Sequence, residues 1–78
     1  MKLYALKDVK SGFMNILVLK NDDLAIRSYK NMLGDPQPNL VNTNPEDFEL
    51  WCLGDYNIDN GFISSDVRFV ASATTIGE

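Results

Sequence analysis

Phe48, Leu50 and Cys52 fall on one side of a period-two pattern, with Glu49, Trp51 and Leu53 on the other. Only Glu49 is polar, so both faces of this strand need cover, and it belongs inside a sheet. Pro45 lacks an amide hydrogen and pushes Asn44 out of the helical region, so pairing begins after it; Gly54 ends the run. Residues 2–9 alternate more weakly, with Leu3 and Ala5 on one side and Tyr4 and Leu6 on the other. Lys10-Ser11-Gly12 is turn chemistry, and the apolar run Phe13–Leu19 after it predicts the second arm of an antiparallel hairpin. A last strand is predicted near 66–73, with Val67, Phe69, Ala71 and Ala73 on one face and Arg68, Val70 and Ser72 on the other.

One stretch changes period. Ala25, Ile26, Tyr29, Met32 and Leu33 form a single stripe at helical spacing, and Arg27, Ser28, Lys30 and Asn31 lie off it. Asn21 can cap the first turn, and Asp22 and Asp23 sit at the positive end of the helix dipole. Gly34 is placed to end the helix in left-handed geometry, and Pro36 and Pro38 forbid continuation. Residues 35–47 then read as a long polar connection, either a plain crossover or a partner-facing loop. A wide hairpin loop, Asp55–Phe62, has Asp59-Asn60-Gly61 at its tip, and residues 74–78 read as a frayed tail.

The predicted fold is α+β: a β-β-α-β-β order forming a four-stranded, mostly antiparallel sheet with one helix on one face. One helix covers one face only. The other face, carrying Trp51, Leu53 and Val70, is expected to meet a second copy or another partner.

Composition narrows the classes. Seventy-eight residues make a single domain, 1–78, that buries only about 60–65% of its unfolded surface and is marginal without help. Cys52 is the sole cysteine and there is no histidine, so neither an internal disulfide nor a zinc site can staple it. A homodimer is the remaining staple. No apolar run is long enough to span a membrane, the start Met-Lys-Leu-Tyr-Ala-Leu-Lys-Asp reaches a charge too early for a signal peptide, and a lone buried cysteine fits a reducing cytoplasm. The net charge of −4 hides an asymmetry. Residues 1–30 carry six basic side chains against three acidic, +3; residues 31–78 carry Arg68 against eight carboxylates, −7. An ordinary solvated surface explains this, and so does a local basic patch.

Catalysis finds no support in the residues: no histidine, no phosphate-cradling glycine loop, no nucleophile with a base at a working spacing. No cofactor is implied. Glu46, Asp47 and Glu49 could hold Mg²⁺, but a solvated acidic edge is the simpler account. The loop Asp55–Gly61 has calcium-like oxygen ligands, yet Val67 stands where the bidentate glutamate must be. Single-stranded DNA binding needs aromatic platforms among cations; the candidates are Lys2, Tyr4, Lys7, Lys10, Phe13, Lys20, Arg27 and Lys30. Against that, Tyr4 and Phe13 are better explained as core, and Trp51 as core or interface.

The capped helix Asn-Asp-Asp-Leu-Ala-Ile-Arg-Ser-Tyr, the block Asn44–Leu50, then Leu53–Tyr56 and the Gly61-Phe62 hairpin resemble the small nonstructural protein of gokushovirus-type microviruses, phages with circular single-stranded DNA genomes. The resemblance covers nearly the whole chain. It implies a protein made in the infected bacterial cytoplasm and absent from the virion. It further implies a part in viral DNA replication, at the switch to single-stranded genome synthesis, with a DNA-binding role. Two readings follow. One is a noncatalytic accessory that binds single-stranded DNA. The other is an acidic regulator that docks on the viral replication initiator or a host replication protein. A third, a nucleic-acid mimic that interferes with the host, uses the same acidity.

Overall fold

Strands β1 (Lys2–Asp8), β2 (Gly12–Leu19), β3 (Phe48–Tyr56) and β4 (Ile63–Ser72) form one antiparallel sheet in the order β2-β1-β3-β4. Helix α1 (Asp22–Leu33) packs on one face and is followed by a one-turn α2 (Leu40–Thr43) and a 3-10 turn, Pro45–Asp47. The computed structural model describes residues 1–75. The architecture is the predicted α+β arrangement, with an added turn of helix in the connection.

The covered face explains the core. Tyr4 and Leu6 of β1, Phe48, Leu50 and Cys52 of β3 and Ala71 of β4 bury against Ala25 and Tyr29 of α1 and Val41 of α2. The Asn21 side chain accepts the Leu24 N–H at 3.0 Å, which satisfies one free amide of the first turn. The Tyr29 hydroxyl donates to the Phe48 carbonyl at 2.9 Å, so its burial leaves no unpaired polar atom. Gly34 has φ −93°, not the left-handed geometry expected of it; its N–H still closes the helix on the Lys30 carbonyl.

The connection holds the largest departure from expectation. Asn39 and Asn42 cap each other, each side chain accepting the other's backbone N–H at 2.8 Å. The turn so fixed drives Val41 into the core, 2% exposed. A four-residue helix is too short to leave a periodic signature.

Gly54 does not end β3. It sits inside the strand at φ +149°, where a Cβ would lie 2.0 Å from the Ser64 carbonyl oxygen, because β4 approaches closely at a shift of register. A second shift, between Leu50 and Trp51, puts Ala71 opposite Leu50 and Phe69 opposite Trp51. This corrects the placing of Val70 beside Trp51. Val70 packs against the helix-side core, whereas Phe69 takes the place opposite Trp51. Of the tail expected to fray, Thr74 and Thr75 form a turn in which the Thr75 hydroxyl oxygen accepts the Ser72 N–H at 2.7 Å; residues 76–78 lie outside the described residues.

Candidate nucleic-acid interface

Among the described residues, no element covers the sheet face turned away from α1. Lys7 of β1 pairs with Phe13 of β2, Ala5 with Trp51 of β3, and Trp51 with Phe69 of β4, so all share that face. Phe13, Ile16, Val18, Val67 and Phe69 are each between 44% and 56% exposed. Leu3 and Ala5 are buried on this face by their sheet neighbours.

Three aromatic rings cross the four strands in a row. Phe13 and Trp51 meet edge to face with centroids 5.9 Å apart, and Trp51 and Phe69 do the same at 5.8 Å. Phe13 and Trp51 stand on strands separated by β1, so their rings lean together over it. The fully buried Ala5, directly opposite Trp51, is small enough to leave that space. The Lys7 ammonium lies 5.1 Å from the Trp51 ring centroid and 5.5 Å from that of Phe13, within cation–π range of both. The Trp51 indole N–H donates to the Glu49 carboxylate at 3.0 Å, which fixes the ring's orientation.

The eight sequence-based candidates do not converge. Lys7 and Phe13 reach this row. Tyr4 does not: it is 0% exposed beneath α1 on the opposite face, and its hydroxyl donates to Asp22, so stacking on a base is ruled out for it by burial. Lys2 is paired with Asp55 at 2.9 Å, and Lys10, in the hairpin turn, lies 3.5 Å from Asp47. Lys20, Arg27 and Lys30 are exposed, on the end of β2 and on α1. Among the described residues these three and Lys7 take part in no ion pair. Of the three residues assigned to an interface, Trp51 is in the row, Leu53 is half-buried two residues further along β3, and Val70 is on the other face. Phe69 was not among the predicted site residues. Its alternation with Val67 was visible, but only the register shift shows that this side joins Trp51.

Arg68, the sole cation of the second half, is committed elsewhere. Its guanidinium grips Asp22 with two bonds, 2.9 and 3.0 Å, which ties the first turn of α1 to β4. Those bonds, then the Tyr4 hydroxyl, hold the Asp22 carboxyl below the usual carboxylate range. Burial, then the bond to Asp22, pushes the Tyr4 phenol well above its ordinary value. No group of metal-ligating side chains comes together among the described residues, and none of their helices is long and apolar enough to cross a membrane.

One family model, that of the Phage ORF5 protein, matches residues 1–76. No curated protein and no solved structure matches the chain.

Proposed function

The chain belongs to the Phage ORF5 protein family, and from that premise we propose that it binds single-stranded DNA through the open sheet face and serves single-stranded genome synthesis without catalysing a step. The observation that carries this reading is the row Phe13–Trp51–Phe69 with Lys7 above it. Every base has a π-face, so exposed aromatics bind single strands with little regard to sequence, at about 1–3 kcal/mol per stacked base. The resemblance to the nonstructural proteins of gokushovirus-type microviruses supports the same role, with the host bacterial cytoplasm as its place and no part in the virion.

The electrostatics shape the expected binding. A chain of net charge −4 gains little from phosphates, and Lys7 is the one cation set among the rings. Affinity then comes mainly from stacking. With about one or two phosphates neutralised, the log–log salt slope is shallow, about −0.7 to −1.4. This replaces the steep dependence that a groove lined by the whole basic half would give. Titration of the chain with oligothymidylate at several salt concentrations tests it. Phe13→Ala and Phe69→Ala should each weaken binding by about 1–3 kcal/mol with the slope unchanged. Lys7→Ala should flatten the slope. Wild-type affinity in both phenylalanine variants would refute the platform.

A second reading has its own support. The β3–β4 hairpin tip carries the most exposed apolar side chains described, Ile58, Phe62 and Ile63 at 64–73%, beside Asp55 and Asp59. An acidic tip with apolar anchors suits a basic protein surface, such as that of a replication initiator or a host replication factor. Capture from infected cells with and without nuclease separates the two: partners that survive nuclease favour docking.

A further inference from the structure

We infer that two copies of this chain join through the β2 edge, antiparallel about a two-fold axis, to make one eight-stranded sheet. The inference stands on the edge itself and does not depend on DNA binding.

The two edges of the sheet are unlike. β4 carries Ser64, Ser65, Asp66 and Arg68 and meets β3 through two shifts of register, features that discourage a further strand. β2 carries no such guard. Residues 11–19 hold neither a charge nor a proline. Its single irregularity lies early, between the partners of Ala5 and Lys7, and from Ile16 to Leu19 the strand is regular. Unpaired N–H and C=O groups on that side can be satisfied by water or by another strand, and only a strand also covers the side chains.

Those side chains are apolar on both faces. Phe13, Met14, Ile16, Leu17 and Val18 remain 41–56% exposed. On the helix side, Leu6, Met14, Asn15, Leu17, Ser28 and Met32 line an open groove of ≈ 330 Å³ with no charged group in it. At about 200 Å² per large apolar side chain, the five strand residues expose about 450 Å² per copy and about 900 Å² for two, short of the roughly 1,000 Å² that a specific interface clears. The strand backbones and the groove residues Asn15, Ser28 and Met32, not yet counted, supply the rest.

The occupant is a second copy because the contact is self-complementary. A two-fold interface sets the same patch against itself, and copies of net charge −4 repel wherever charged surface meets. The uncharged β2 edge avoids that cost. Phe13 then lies at the seam, while Trp51 and Phe69 stay free, and the joined sheet is about 38 Å wide at about 4.8 Å per strand.

Sedimentation equilibrium on the full chain, from about 1 to about 200 μM, tests this. The wild type should show twice the chain mass with micromolar dissociation. Leu17→Lys, which sets a charge at the centre of the edge, should be monomeric throughout. Ile63→Lys, on the β4 edge, should remain dimeric. A wild type that is monomeric over the whole range overturns the inference, and leaves the edge to a foreign strand. So does a dimer that survives Leu17→Lys but is lost in Phe69→Lys. If Leu17→Lys fails to fold by circular dichroism, hydrogen exchange on the wild type decides. The alternate amides of Ile16–Leu19 that point away from β1 should slow as concentration rises, and exchange independent of concentration at those amides is fatal.

Discussion

At the scale of single residues, Asp22 does the most. It caps no helix itself, yet it receives Arg68 and Tyr4 together and so holds α1 to both a central and an edge strand. Its folded pKa lies below the unfolded value of about 3.9, so its contribution is present above about pH 4 and is lost as pH falls through the folded pKa. The melting temperature should therefore be flat from neutrality to about pH 5 and fall below about pH 4. Asp22→Asn should melt lower at neutral pH and show a weaker acid limb. Thermal melts across that range check it; an unchanged acid limb in Asp22→Asn would show that the pairing contributes nothing. The sequence placed Asp22 correctly at the helix dipole, but nothing in it linked residues 4, 22 and 68. That link needs the register of β4.

At the scale of elements, the strands and α1 were legible because period two and period 3.6 survive in the apolar positions. What failed were the places where the period breaks. The shift of register between Leu50 and Trp51 moves Ala71 to the helix side with Val70 and leaves Phe69 on the open side, which simple alternation assigned otherwise. The two glycines also differ from expectation. Gly34, expected to need left-handed geometry, has φ −93° with room for a Cβ. Gly54, expected to stop a strand, makes the close approach of β4 possible. Gly54→Ala should cost at least about 2 kcal/mol, from strain and clash together, while Gly34→Ala should be within about 0.5 kcal/mol of wild type. Chemical denaturation of the two variants measures this. Equal stabilities would mean that β4 does not approach as described. The α2 turn escaped notice because two asparagine caps, not periodicity, build it.

At the scale of the whole molecule, the prediction of a sheet with one bare face follows from counting helices, and the structure has that face. Which residues form the aromatic row on it was only half legible. Lys7 and Phe13 were singled out as members of a basic, aromatic first half; Trp51 and Phe69 come from the acidic second half and join them only through the order β2-β1-β3-β4. Charge by sequence half was thus a poor guide to charge by surface.

Trp51 is the sole tryptophan of the chain and sits at the middle of the row, so its emission reports directly on that face. Titrating oligothymidylate at low salt should quench it to a saturating plateau, with a weaker midpoint in Phe69→Ala. Emission that stays constant to the highest oligonucleotide concentration would contradict the account.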